Sequence, residues 1–192
     1  MKDIIRSMTF LILAGSAAIC SADSISVQPS FQTFNVGDNF SLDVYVDITD
    51  LYAFQFDLSF NPAVLSATSI TEGSLLLTGG STFFIPGAID NTLGTVSFTA
   101  NTLLGPGPGV TGSGTLASIY FTALGLGASP VDLSNIGLLD SGFNEIVADS
   151  TNGAVNVIPG SVPGSVPEPA SLLLLGSVLV GIVAKVRSKR TR

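Results

Sequence analysis

Carboxylates are the main reactive groups available to the central part of this 192-residue chain, which has no histidine and a single cysteine, Cys20. Asp43, Asp47, Asp50 and Asp57 lie close together. On a simple hairpin Asp43 would face Asp57, and such a like-charge pair would bind a cation or hold a proton. A glycosidase would need two inward carboxylates in a cleft, and no aromatic-lined cleft is suggested. A second group, Asp140, Asn144, Glu145 and Asp149, offers the oxygen ligands of a weak calcium site. It lacks the alternate-position spacing and central glycine of an EF-hand loop, and a solvated acidic turn is the plainer reading. Without His or a second Cys, imidazole bases, Cys–His nucleophiles, ordinary zinc sites and disulfides within the chain are excluded together. The chain reads as a non-enzyme that needs no cofactor.

Charge says where the chain belongs. All seven basic residues lie at the ends, Lys2 and Arg6 at one and Lys185, Arg187, Lys189, Arg190 and Arg192 at the other. Between Asp23 and Ala184 stand thirteen acids and no Lys or Arg. Nucleic acid is therefore excluded as a partner of this part, because phosphate binding requires cations. Residues 1–22 have the layout of a secretory signal peptide: a basic start, an apolar run over residues 8–19, and small residues ahead of a cleavage point between Ala22 and Asp23. At the other end, residues 159–166 form a Pro/Gly/Ser linker. The sequence Val166-Pro167-Glu168-Pro169-Ala170 then leads into an apolar stretch, predicted as a short transmembrane helix over residues 170–186, and a basic tail. Basic flanks stay cytoplasmic, so the acidic part lies outside and is membrane-anchored through the C-terminal helix.

The part between must position whatever acts there. Its hydrophobicity alternates with period two. Phe40, Leu42, Val44, Val46 and Ile48 form one inward series. Tyr52, Phe54, Phe56, Leu58 and Phe60 form another, as do Val96, Phe98 and Ala100, and Ala117, Ile119, Phe121 and Ala123. The intervening residues, among them Thr95, Ser97, Thr99, Leu116 and Ser118, are predicted to face water. Gly- and Pro-rich turns separate these strands, and residues 103–114 read as an irregular loop inserted between two of them. Many short strands with such turns predict an all-β sandwich.

Two resemblances add to this. The Pro167-Glu168-Pro169 motif, apolar span and basic end resemble the PEP-CTERM sorting signal. That implies recognition and cleavage by an exosortase after signal peptidase has acted, in a Gram-negative bacterium, with release to the cell surface or extracellular matrix. The strand segments at residues 43–48, 52–65, 70–75, 114–123 and 152–157, in that order, resemble a cohesin domain. The resemblance implies a nine-stranded jelly-roll β-sandwich over residues 23–158, with a partner-binding face on strands three, five, six and eight. The polar residues that fall there are Gln55, Asp57, Ser59, Thr95, Ser97 and Thr99. It also moves Asp43 and Asp57 into opposite sheets. The expected function is a surface-displayed binding or structural module for a dockerin-like protein or for exopolysaccharide. The alternative is a carbohydrate-binding module, disfavoured by the absence of Trp, the usual sugar-stacking ring.

Overall fold

Period-two alternation with Gly/Pro turns leaves this chain one way to bury its apolar faces: sheet against sheet. The computed structural model describes residues 22–160 and shows that arrangement. Residues 1–21 of the expected signal peptide, the expected linker beyond Gly160, the Pro167-Glu168-Pro169 motif, the expected helix and the basic tail lie outside the described residues. Eleven strands follow in order: β1 (Ser24–Gln28), β2 (Phe31–Asn35), β3 (Asn39–Phe60), β4 (Leu65–Glu72), β5 (Thr82–Ile85), β6 (Ala88–Asp90), β7 (Thr95–Leu103), β8 (Val110–Ala123), β9 (Gly127–Asp140), β10 (Asp149–Thr151) and β11 (Gly153–Ile158). A single helical turn, α1 (Ser74–Leu77), follows β4. The strand count exceeds the expected nine. A break at Ser30 and a cis Gln28–Pro29 bond separate β1 from β2, and two short strands, β6 and β10, run along the edges.

β3 organises the sandwich. Its first half pairs with β1 and β8, and β4 and β10 extend that sheet. Its second half pairs with β7 and β9; β5 and β6 flank β7, while β11 and β2 continue beyond β9. The strand changes sheet at Asp50, whose backbone is left-handed (φ 58°). Leu51 and Tyr52 are consequently both buried although adjacent in sequence. The same crossover puts Asp43 and Asp57 in different sheets. Asp43 accepts a hydrogen bond from Ser118 Oγ at 2.6 Å and pairs with Gln28 and Ser118, so the hairpin pair does not form.

Both inward series on β3 contribute to the core, Leu42, Val44 and Val46 from one sheet and Phe54, Phe56 and Leu58 from the other. Phe121 meets Phe60 edge-on, with centroids 5.3 Å apart, and lies 5.7 Å from Phe40. Phe40 stacks in turn on Phe34. Burial at roughly 25 cal/mol per Å2 of apolar surface is the term that holds the two sheets together. In β8 the expected alternation fails: Leu116, predicted outward, is 1 % exposed beside the equally buried Ala117. A bulge opposite Val44 and Tyr45 inserts the extra residue and turns both side chains inward. The loop expected over residues 103–114 is shorter, since β8 already begins at Val110.

Candidate functional site

The outer face of the β5–β7–β3–β9 sheet departs most from a plain polar surface. Register places Phe83, Thr102, Ala53 and Leu139 in one row across it, and Ile85, Ala100, Gln55 and Gly137 in the next. These side chains line a shallow hollow of about 350 Å3, with Phe83 largely exposed at its rim. Gly137 lets the Gln55 side chain lie across it, since a Cβ there would stand 3.1 Å from Gln55 Cγ.

Beyond these rows a line of irregularity crosses the sheet. On β7 two residues, Ser97 and Phe98, oppose Asp57, and Phe98 adopts φ 58°. On β9 an extra residue at Asn135, φ 49°, breaks the register on the other side of β3. On the outer edge the strand is interrupted by Pro86-Gly87. Gly87 (φ 82°) admits no side chain, as its Cβ would meet Thr99 Oγ1 at 2.7 Å. Asp57 ties the bulges together: one carboxylate oxygen accepts the Phe98 N–H at 2.6 Å and the other accepts from Asn135 Nδ2. Single β-bulges bend a strand and re-aim its side chains; here two are anchored to one carboxylate. Asp57, Ser97, Phe98, Asn135 and Ile136 border a second, more polar hollow next to the first.

The β7 bulge reverses the expected parity of half the strand. Phe98, predicted inward, is 53 % exposed; Thr99, predicted outward, is fully buried and donates its hydroxyl to the Pro86 carbonyl at 3.2 Å. Ala100 turns outward, and Asn101 turns in to donate through Nδ2 to Glu72 at 2.7 Å. Of the six residues expected on the face, Gln55, Asp57, Ser59, Thr95 and Ser97 do lie on it, and Thr99 is removed from it. Sequence reasoning missed its apolar half, Phe83, Ile85, Ala53 and Leu139, and its exposed aromatic, Phe98. No local signal marks the bulge, because φ near +58° at a phenylalanine is foreign to its intrinsic preference.

The second group of oxygen ligands is not gathered into a site. Asp140 accepts the N–H groups of Gly142 and Asn144, each at 2.8 Å, and the Asn144 side chain at 3.0 Å, which closes the turn. These bonds hold its pKa below the ordinary aspartate value. Glu145 pairs with Leu139 through a bridge, and Asp149 departs on β10 beside Ser24. Among the described residues no group of three or more acids is placed to hold a metal ion. Near this turn Asp50 accepts from Ser141 Oγ at 2.8 Å and from the Gly109 N–H at 2.7 Å, bonds that lower its pKa, while Tyr52 donates to the Gly105 carbonyl. The glycine-rich loop is therefore fastened to the sandwich at two points rather than being a free insertion.

Comparison with known proteins gives the frame for this face. Residues 26–157 match the cohesin domain family, and residues 165–190 match the PEP-CTERM protein-sorting motif. No curated protein matches the chain. Among solved structures, a non-cellulosomal cohesin from the hyperthermophilic archaeon Archaeoglobus fulgidus is similar at 16 % identity, covering 72 % of this chain and 92 % of that one, with a TM-score of 0.56. The OlpA cohesin–dockerin complex from Clostridium thermocellum is similar at 15 %, covering 72 % and 100 %, with a TM-score of 0.59. The sixth scaffoldin B cohesin of Acetivibrio cellulolyticus, in complex with a Cel5 dockerin, is similar at 19 %, with the same coverage and TM-score.

Proposed function

Because the chain belongs to the cohesin domain family, we propose that it works as an exported, non-catalytic binding module. The β5–β7–β3–β9 face receives a protein partner of dockerin type. The observation that carries this is the composite surface: an apolar hollow around Phe83, Ile85 and Leu139 lies beside a polar one centred on Asp57, with Phe98 exposed between strands held by bulges. Interfaces of this kind combine an apolar centre with a polar rim. The domain carries no Lys or Arg, so a partner that matches its field presents basic groups to Asp57. The sorting motif supports presentation outside the cytoplasm of a Gram-negative bacterium. In this reading Ala22–Asp23 is the signal peptidase site, and an exosortase acts at Pro167-Glu168-Pro169.

A photo-crosslinking residue placed at Gln55, and in a control at Tyr120 on the opposite sheet, tests the reading in the producing cell. An adduct with a protein from Gln55 alone is expected. An adduct from Tyr120 and none from Gln55 would move the binding surface to the other sheet.

That other sheet favours a second reading. Its outer face is built from Ser26, Asp43, Tyr45, Thr115, Ser118 and Tyr120, hydroxyls and phenols that suit a polysaccharide. Retention of the domain on a glycan array, lost in Tyr45→Ala and Tyr120→Ala, would support a matrix-binding role.

A further inference from the structure

We propose that the end of the sandwich from which the chain leaves the domain is a membrane-facing surface, seated on the lipid headgroup region while the tail is anchored. This rests on reading the sorting tail as a membrane span. Three loop tips and the last strand meet at that end. Val36 forms the tip of the β2–β3 turn and donates its N–H to the Ile158 carbonyl at 3.1 Å. The next residue, Gly37, bonds to Ala123, and Leu124 bonds to Val64 at 2.7 Å. Leu126 precedes Gly127, which pairs with Val157. Leu93 stands at the tip of the Asp90–Gly94 turn, where the space above Gly94 is closed by Phe60 and Pro62.

Val36, Leu93, Leu124, Leu126 and Ile158 are all exposed. Turn tips are ordinarily Gly, Pro, Asn, Asp or Ser, so a branched aliphatic residue at each of three tips on one end is unusual chemistry. The acids at this end are turned to local use. Asp38 accepts from the Asn35 N–H at 2.8 Å and from its side chain. Asp90 accepts from the N–H groups of Thr92 and Leu93. The opposite end carries Asp50, Asp140 and Glu145, close to one another through Ser141 and the Leu139–Glu145 bridge. Exposed apolar residues occur at that end too, Leu104 and Phe143 among them, so what sets the exit end apart is its aliphatic turn tips together with its attachment to the tail.

The occupant follows from where the rest of the chain goes. About twelve residues separate Ile158 from the apolar run beginning at Ser171, a span of at most about 40 Å. They contain no charge except Glu168. The exit end is therefore held within about 40 Å of the bilayer. A tethered surface needs little intrinsic affinity to stay engaged, because tethering makes the contact intramolecular. Aliphatic tips entering the headgroup boundary are the mode of attachment used by interfacial segments. Seated this way, the β5–β7–β3–β9 face stands upright and open to the side.

The chain contains no tryptophan, so a single Trp is a clean depth probe. Leu126→Trp and, as a control at the far end, Leu104→Trp are matched in exposure at 60 % and 58 %. Each is made in the exported chain with its tail intact, purified from a host without exosortase and reconstituted in phosphatidylcholine vesicles. Flotation establishes anchoring first. Blue-shifted Trp emission that brominated lipid quenches, in Leu126→Trp and not in Leu104→Trp, is the expected result. Anchored chains in which neither probe responds, or both respond equally, overturn the proposal. A chain that does not float overturns the tail reading, and this inference with it, and flotation alone distinguishes that failure.

Discussion

The bulge at Phe98 makes a quantitative prediction in which the structure and the bare alternation of the sequence disagree. Phe98→Gly removes a side chain that alternation would bury. Truncating a core phenylalanine costs about 3–5 kcal/mol. In the structure Phe98 is 53 % exposed and left-handed. About half of the ~1.5–3 kcal/mol available from burying such a side chain is lost on truncation. Glycine adds about 0.5–1 kcal/mol of unfolded-chain entropy. Against these, relief of the left-handed backbone returns about 1–2 kcal/mol. The terms nearly cancel, so Phe98→Gly should change stability by no more than about 1 kcal/mol. Thr99→Ala is the complement. An outward threonine would tolerate the change within about 0.5 kcal/mol. A buried one that donates to Pro86 should cost about 1–2 kcal/mol, the Pro86 carbonyl losing its partner. Urea unfolding with unchanged m-values measures both. A loss above about 3 kcal/mol in Phe98→Gly together with a neutral Thr99→Ala would refute the reversed parity.

Other outcomes follow from the same contacts. Asp57→Ala leaves the Phe98 N–H without its acceptor and should cost about 1–3 kcal/mol. Asp57→Asn combined with Asn135→Asp should recover part of that loss, as a double-mutant cycle would read. Hydrogen bonds lower the pKa values of Asp50, first through Ser141, of Asp90, first through Leu93, and of Asp140, first through Asn144. Their contribution to stability is fully present above the ordinary aspartate value of 3.8 and is lost as pH falls from there through the lower folded values. A melting-temperature series against pH should show that acid limb, and Asp90→Asn should flatten it. The mature protein should begin at Asp23 and lack the basic tail when exosortase is present, as intact mass will read. With Cys20 removed, its melting temperature should be indifferent to reductant.

The sequence by itself determined the sandwich. Strict alternation over residues 40–48 and 52–60 admits no helix, and Leu42, Val44, Val46, Phe54, Phe56 and Leu58 lie in the core where that period places them. Composition likewise excluded imidazole chemistry and any disulfide within the chain, because missing residues cannot be supplied by any fold. Five of the six expected face residues were legible because an outward position on a regular strand follows from parity alone. Tertiary structure decided the rest. Parity counts residues from a reference and cannot detect an inserted one, so Leu116, Phe98 and Thr99 were misassigned wherever a bulge intervened. The bulges in turn depend on partners distant in sequence: Asp57 holds Phe98 and Asn135 from 41 and 78 residues away. The apolar hollow escaped for the same reason. Phe83, Ala53 and Leu139 belong to three separate segments, and only the pairing of β5, β7, β3 and β9 sets them side by side.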